Sequence, residues 1–270
     1  MTPMDTTTAR FDVRSADGTT IAVWVGGDGP ALVMVHGSLQ DHTVSAALVG
    51  ELNAGLTTYA VDRRGFGASG DHEVYSLERE FEDIASVVDE VAARSGGPVA
   101  LWGHSYGANC AMGAANLTDH LGHLLLYEPS LGLRYPSGWI ATYEATVAVG
   151  DVEGAIVLMF RDLLEFNDQQ IDAMRASPEW PGRIAVAHTL AREARAEEGW
   201  DYRPGQFDRI ITPTLLIAGS DSTEAIRLAT DAAAASIAGA RIHLLAGHAH
   251  VAHRTHPALI AKIVRDFIAD

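Results

Sequence analysis

A serine between two glycines is the residue in this chain best suited to chemistry. Ser105 lies in the run Gly-His-Ser-Tyr-Gly at positions 103 to 107. A serine hydroxyl can attack an acyl group when a histidine takes its proton, a carboxylate orients that histidine, and N–H donors stabilise the oxyanion. His250 and the carboxylates of Glu128 and Asp221 each follow an apolar, strand-like run. The sequence therefore contains the groups for a covalent, serine-based mechanism.

The residues around Ser105 predict how its hydroxyl is presented. Residues 99–102 are typical of a short buried strand, and an apolar helical run begins near Ala108. Ser105 is thus expected at a strand-to-helix turn, the nucleophile elbow. Such a turn strains its central residue and needs glycine at 103 and 107, where a side chain would clash. It also places the Tyr106 backbone N–H where an oxyanion can be stabilised.

Apolar runs along the rest of the chain predict an α/β fold, with helices on both faces of a mostly parallel, twisted sheet. Asp17-Gly18 is a hairpin signal that joins two β-rich runs into an antiparallel edge pair. The later runs are continuously apolar, as expected for parallel strands covered on both faces. They span residues 31–35, 57–61, 99–102, 124–127, 213–218 and 241–245, and helical segments fall at 45–53, 77–93, 224–237 and 257–268.

Between Ser130 and Gly205 the alternation of strands and helices stops, which predicts an inserted helical cap. The predicted helices of this segment span residues 139–149, 152–164, 168–176 and 181–196. We assign residues 1–130 and 206–270 to the core domain and 131–205 to the cap. Trp139, Tyr143, Met159 and Phe160 are the candidate substrate-binding residues, although packing of the cap would use the same apolar side chains.

The composition restricts the class of function. A chain of 270 residues, 47% of them hydrophobic, suits one large domain with an insertion. The net charge of −16 argues against nucleic acid and anionic membranes as partners and disfavours polyanionic substrates. The polar start from Met1 to Arg10 lacks a signal-peptide pattern and no apolar run could span a bilayer, so a cytoplasmic protein is expected. The single cysteine, Cys110, allows no internal disulfide and is expected to be a small buried residue.

These motifs together resemble those of the α/β-hydrolase superfamily over nearly the full length of the chain. The matching residues are His36-Gly37-Ser38, the run from Asp62 to Ser69, the run from Gly103 to Gly107, Asp221 and His250. The resemblance implies an α/β-hydrolase fold with a helical cap. It also implies that the catalytic residues are Ser105, Asp221 and His250, in that chain order.

The same resemblance assigns the remaining roles at the site. Ser38 follows His-Gly and is expected to supply the second backbone oxyanion donor beside Tyr106. His250 is preferred over His248 because the family motif places the base three residues after the glycine that Gly247 matches. Glu128 is the alternative acid, because some family members take the acid from that strand end.

Two other interpretations of the motifs are weaker. Gly65, Gly67 and Gly70 fit a dinucleotide fingerprint, but a loop follows them and the acidic residues at the required distance lie inside a helical segment. Arg63 and Arg64 beside them are expected to be structural hydrogen-bond donors. The histidines at 248, 250, 253 and 256 invite a metal site, but no carboxylate or cysteine recurs at ligand spacing, so no metal is expected. His104 is expected to make a structural hydrogen bond.

The sequence therefore predicts a carboxylesterase-like serine hydrolase that needs no cofactor. Its expected substrate is a carboxylic ester or lactone of a small, mainly apolar molecule. The alternatives are lyase, perhydrolase or haloperoxidase-like chemistry, carbon-carbon bond hydrolysis, or ligand binding without turnover on the same fold. The oligomeric state is left open.

Overall fold

The computed structural model of the chain describes residues 9–203 and 205–270. Residues 1–8, which belong to the polar segment from Met1 to Arg10 at the start of the sequence, lie outside the described residues. The described residues form one sheet of eight strands in the order β1-β2-β4-β3-β5-β6-β7-β8. The strands are β1 (Ala9–Arg14), β2 (Thr20–Gly27), β3 (Ala31–Val35), β4 (Thr57–Val61), β5 (Val99–His104), β6 (Leu121–Tyr127), β7 (Thr214–Gly219) and β8 (Arg241–Leu245).

The sheet has the predicted mixture of directions. β1 and β2 pair antiparallel, and β2 also runs antiparallel to β4. All pairings from β4 to β8 are parallel. The carboxyl ends of β5, β6, β7 and β8 therefore meet at one edge, and this edge carries Ser105, Glu128, Asp221 and the loop that contains His250.

Helices cover both faces of the sheet, as the continuously apolar strands predicted. The core helices are α1 (Ala46–Leu52), α2 (Leu77–Ser95), α3 (Tyr106–Ala115), α9 (Glu224–Ala235), α10 (Ala252–Thr255) and α11 (Pro257–Ala269), with a short 3-10 helix at His42–Ser45. Residues of α2, α3 and α9 belong to the hydrophobic cluster on one face, and residues of α1 and α11 belong to the cluster on the other. Cys110 is fully buried in the first cluster, as expected.

A second group of helices lies between β6 and β7, and we refer to it as the cap helices. They are α4 (Trp139–Ala148), α5 (Val152–Asp162), α6 (Asp168–Arg175), α7 (Trp180–Val186) and α8 (Leu190–Glu198). They share a third hydrophobic cluster, which also contains Leu39 of the core. The domain boundaries assigned from the sequence stay a prediction.

The prediction of a single helix over residues 181–196 is wrong. The chain forms α7, then a 3-10 turn at Ala187–Thr189, and then α8. The Ala187 carbonyl accepts a hydrogen bond from the Tyr143 hydroxyl of α4 (2.8 Å), and Thr189 Oγ1 donates to the Val186 carbonyl (2.8 Å). These side chains satisfy backbone carbonyls that a continuous helix would have used, so the helix can change direction there.

The glycine-rich segment after β4 is a loop and not a nucleotide-binding turn. A Cβ atom on Gly67 would lie 2.3 Å from the Asp62 carboxylate, so this glycine is required for close packing. Arg63 and Arg64 are fully buried and donate to Glu80 and Asp83 of α2. Both arginines are therefore structural hydrogen-bond donors, as predicted.

No helix among the described residues is both long enough and apolar enough to cross a bilayer.

Candidate active site

Ser105 lies at a strained turn between β5 and α3. Its backbone has φ 55° and ψ −126°, a conformation that residues other than glycine rarely adopt. A Cβ on Gly103 would lie 2.4 Å from the Gly107 carbonyl oxygen, and one on Gly107 would lie 2.3 Å from the His36 carbonyl oxygen. The two glycines are therefore needed because backbone passes on both sides of the turn, which is the geometry expected of a nucleophile elbow.

The start of α3 and the His36-Gly37-Ser38 loop lie next to Ser105. Tyr106 is the first residue of α3, and Gly37 brings the His36-Gly37-Ser38 loop so close that its Cβ would lie 3.0 Å from Ser105 Cβ. Within the described part of the chain, neither the Tyr106 N–H nor the Ser38 N–H donates a hydrogen bond. A helix N-terminus next to a free N–H suits a developing negative charge.

The carboxylate that pairs with His250 is Glu128 and not Asp221. Glu128 Oε2 accepts a hydrogen bond from His250 Nδ1 at 2.6 Å, and the Glu128 side chain is fully buried. Asp221 is exposed, and its carboxylate accepts from Ser220 Oγ at 2.8 Å. The expected pairing of Asp221 with His250 is therefore corrected, and Glu128, the alternative acid, occupies that position.

Backbone geometry explains why Glu128 points at the histidine. Glu128 directly follows β6 and has φ 47°, which turns its side chain away from the strand alternation. Its second oxygen, Oε1, accepts from the Gly219 N–H at 2.6 Å and from Ser222 Oγ at 2.5 Å. Three donors thus fix the buried carboxylate of Glu128. Their hydrogen bonds stabilise its negative charge, which burial alone would destabilise.

The loop that carries His250 is held by two core side chains. The Tyr127 hydroxyl donates to the Ala249 carbonyl (2.5 Å) and accepts from the Ala252 N–H (3.0 Å). His104 Nε2 is 2.8 Å from the His250 carbonyl oxygen, and burial lowers the pKa of His104 well below the ordinary value, so the ring is neutral and donates from Nε2. The structural hydrogen bond expected for His104 is therefore present.

The Ser105 hydroxyl and the His250 ring are not hydrogen-bonded to each other in the described part of the chain. Such contacts are often long without substrate and tighten when it binds. The remaining histidines of the loop point elsewhere: His248 and His256 pack ring to ring at 4.3 Å, and His253 packs on His104 at 4.1 Å. Among the described residues, no three or more histidine, cysteine or acidic side chains converge on a point that could hold a metal ion.

A cavity of about 420 Å³ reaches His250 from the side of the cap helices. Most of its lining is polar or charged and includes Glu165, Asp221, Glu224 and Arg227, and its large apolar side chains are Leu164, Phe166 and Ile226. The residues expected to wall a pocket do not line this cavity. Trp139, Tyr143 and Phe160 are buried in the cluster of the cap helices and Met159 packs against it, so the structure shows them packing the cap.

Buried charges join α8 to the core behind the elbow. Glu193 Oε1 accepts from Arg63 Nη2 at 2.6 Å, and Glu197 Oε1 accepts from Asn109 Nδ2 of α3 at 2.6 Å. Burial raises the pKa of Glu193 and raises that of Glu197 to about 7. Sequence reasoning missed both residues, although they lie on the same helical face as Leu190 and Ala194, which a helical projection would have shown.

Comparisons with known proteins agree with this architecture. A sequence model described as "Alpha/beta hydrolase family" matches residues 32–263. An α/β hydrolase from Sphaerobacter thermophilus is 32% identical, with a TM-score of 0.80 over 95% of this chain and 99% of that one. The enol-lactonase from Burkholderia xenovorans LB400 is 20% identical with a TM-score of 0.77 over 96% and 100% of the two chains, a likeness in fold.

A curated relative is similar over a shorter stretch. The 2-(acetamidomethylene)succinate hydrolase of Mesorhizobium japonicum is 35% identical over 97 residues, which are 36% of this chain and 34% of that protein. The chain spans between 34% and 38% of the length of the curated relatives it matches.

Proposed function

Since the chain belongs to the α/β-hydrolase family, we propose that it hydrolyses a carboxylic ester or lactone of a small, mainly apolar substrate through an acyl-enzyme. The observation that carries the proposal is the buried Glu128–His250 pair at 2.6 Å, at the same sheet edge as the strained Ser105. A neutral histidine whose Nδ1–H is fixed by a carboxylate has its Nε2 free to accept a proton.

The proposed reaction uses groups of this chain alone. Ser105 Oγ attacks the ester carbonyl carbon while its proton passes to His250 Nε2. The N–H groups of Tyr106 and Ser38 stabilise the oxyanion of the tetrahedral intermediate. His250 then gives the proton to the leaving alcohol, and an acyl group stays on Ser105. Water then attacks the acyl carbonyl carbon while one of its protons passes to His250 Nε2. His250 returns this proton to Ser105 Oγ as the acyl–oxygen bond to Ser105 breaks and the acid leaves.

The cavity that reaches His250 has three large apolar side chains, Leu164, Phe166 and Ile226, among more numerous polar and charged ones. These three side chains are what supports the proposed preference for small, mainly apolar acyl or alcohol groups. Each methylene buried there is worth about 0.8 kcal/mol. Within one series of linear esters, kcat/KM is therefore expected to rise with chain length and to fall once the cavity is full.

The test of this function combines covalent labelling with turnover. A fluorophosphonate should label the peptide that contains Ser105, and 4-nitrophenyl esters should be hydrolysed. Ser105→Ala should abolish labelling, and both Ser105→Ala and His250→Ala should lower kcat/KM by about 1,000-fold or more. His248→Ala, in the same loop, is the matched control and should retain activity. Labelling of Ser105 without hydrolysis of any ester would favour non-hydrolytic chemistry and overturn the proposal.

A further inference from the structure

The proposed oxyanion donors belong to two peptide units whose carbonyl oxygens are held in different ways. The Tyr106 N–H belongs to the peptide unit that contains the Ser105 carbonyl. That oxygen accepts from the Ala108 N–H at 2.8 Å and from the Asn109 N–H at 3.4 Å. In a planar trans peptide unit the C=O and the N–H point in opposite directions, so the start of α3 fixes the direction of the Tyr106 N–H.

The second peptide unit, between Gly37 and Ser38, lies in a loop and has no helix to hold it. Among the described residues, no backbone N–H donates to the Gly37 carbonyl. Two side chains contact this oxygen instead: His36 Nδ1 lies 2.8 Å from it, and Arg63 Nη1 donates to it at 3.4 Å. The direction of the Ser38 N–H therefore depends on side chains.

The protonation of the His36 ring follows from its other nitrogen. The Arg63 backbone N–H donates to His36 Nε2 at 3.1 Å, so Nε2 carries no proton in the neutral ring. Burial, together with the positive charge of Arg63, lowers the pKa of His36 to about 4, so the ring is neutral at neutral pH. The proton is therefore on Nδ1, and His36 donates the shorter of the two hydrogen bonds to the Gly37 carbonyl.

The His36 ring is held in one orientation. His36 directly follows β3 and is buried, and its ring packs against that of Phe66 with the centroids 5.1 Å apart and an angle of 73° between the planes. Each ring nitrogen makes one hydrogen bond to backbone. Hydrogen bonds in a chain polarise one another, so the chain from the Arg63 N–H through His36 to the Gly37 carbonyl makes the Ser38 N–H a stronger donor.

We propose that His36 is a positioning residue for the oxyanion hole, because its Nδ1–H holds the Gly37 carbonyl so that the Ser38 N–H points at the oxyanion formed on the substrate. This inference rests on the proposed function and specifies what makes a loop N–H a usable donor. In this role His36 neither contacts the substrate nor exchanges a proton with it. The role differs from that of His250, the proposed base, and from that of His104, which holds the His250 loop.

The test uses two substitutions that separate the two ring nitrogens. In His36→Asn the side-chain NH₂ takes the place of Nδ1 and donates to the Gly37 carbonyl, whereas the Arg63 N–H loses its acceptor. In His36→Gln the side-chain oxygen takes the place of Nε2 and accepts from the Arg63 N–H, whereas the Gly37 carbonyl loses its closer donor. Each variant keeps one of the two hydrogen bonds, so thermal unfolding should show similar losses of stability.

The two variants should differ in catalysis. Removing an oxyanion donor lowers kcat by about 10²- to 10³-fold, and Arg63 Nη1 still bonds the Gly37 carbonyl in both variants. For 4-nitrophenyl acetate we therefore expect His36→Gln to lower kcat by about 10- to 100-fold with little change in KM, and His36→Asn to stay within about threefold of wild type. Trifluoroacetone, whose adduct with Ser105 carries an oxyanion, should bind His36→Gln more weakly by the factor that kcat loses.

His123→Gln on β6 is the matched control, because it removes a partly buried histidine that packs on Phe267. It should keep both kcat and the affinity for trifluoroacetone. Equal kcat in His36→Gln and His36→Asn, or a His36→Gln variant that changes KM and leaves trifluoroacetone binding unchanged, overturns the proposal.

Two measurements separate this inference from the esterase proposal. Nitrogen NMR of the wild-type protein needs neither a variant nor a substrate and should find the His36 proton on Nδ1, whereas a proton on Nε2 overturns the inference. The rate at which fluorophosphonate labels Ser105 needs no ester hydrolysis and should fall in His36→Gln and not in His36→Asn. If these labelling rates are found and no ester is hydrolysed, the esterase proposal fails and the role of His36 stands. If both variants hydrolyse esters as the wild type does, the inference fails and the esterase proposal stands.

Discussion

Exchanging the oxygen that faces His250 for an amide nitrogen should inactivate the enzyme without unfolding it. In Glu128→Gln the side chain keeps its shape but has only one oxygen. The Gly219 N–H and Ser222 Oγ both donate to Oε1, whereas His250 Nδ1 donates to Oε2. The glutamine oxygen should stay with the two donors, because an NH₂ group there would face both of them.

That orientation turns the amide NH₂ toward His250 Nδ1. Nδ1 must then accept, so the proton moves to Nε2, and a histidine protonated at Nε2 cannot take the proton of Ser105. Fixing the wrong tautomer in a Ser-His-Asp site lowers kcat by about 10⁴-fold, or about 5.4 kcal/mol of transition-state stabilisation. We expect a loss of this order for Glu128→Gln and less than about threefold for Asp221→Asn, whose carboxylate is exposed and contacts Ser220.

The measurement is kcat/KM for 4-nitrophenyl acetate at neutral pH, with circular dichroism and thermal unfolding as the check on folding. The two variants are matched because each replaces one carboxylate by its amide at the end of a neighbouring strand. A folded Asp221→Asn that loses three orders of magnitude, beside a Glu128→Gln that stays active, would refute the reasoning and return the acid to Asp221.

Three further predictions concern the residues that support the site. Burial raises the pKa of Glu197 from 4.5 to about 7, so between these values the folded protein holds a proton that the unfolded chain has lost. The free energy of unfolding should therefore fall with rising pH by about 1.4 kcal/mol per unit, and urea unfolding at several pH values should show a flatter dependence for Glu197→Gln. Tyr127→Phe removes the hydroxyl that bonds both the Ala249 carbonyl and the Ala252 N–H, and leaves only the 3.2 Å bond between these two backbone groups. It should lower the free energy of unfolding by about 0.5–1.5 kcal/mol and slow the fluorophosphonate labelling of Ser105. Gly107→Ala places a methyl group 2.3 Å from the His36 carbonyl oxygen and should yield insoluble protein, whereas Gly50→Ala, with open space around it, should be at least as stable as wild type in thermal unfolding.

The positions of the strands along the chain and of the elbow could be predicted because their signals are local. Continuous apolar runs mark parallel strands, and Gly103 and Gly107 mark the tight turn around Ser105. The identity of the acid could not be predicted in this way, since Glu128 and Asp221 both follow strands at the same edge. The pairing depends on the positive φ of Glu128 and on donors about 90 residues away in sequence, at Gly219 and Ser222.

The buried charges of α8 were missed for a similar reason. Glutamate is seldom fully buried, so a sequence pattern assigns it to the solvent face of a helix. Glu193 and Glu197 are buried because Arg63 and Asn109, which lie in distant segments, supply their donors. The break between α7 and α8 likewise depends on a hydroxyl of another helix, Tyr143.

The contacts of α8 with the core limit how this protein can be diversified. Arg63 belongs to the core, and one of its N–H groups is satisfied by Glu193. Asn109 lies on the helix that starts at the elbow and depends on Glu197 in the same way. A chimera that takes its cap from another hydrolase would leave these core donors without acceptors unless the graft carries carboxylates at two positions one helical turn apart. Modular exchange of the cap therefore requires coordinated changes at Arg63 and Asn109, and directed evolution of substrate range is better aimed at the loop from Leu164 to Phe166.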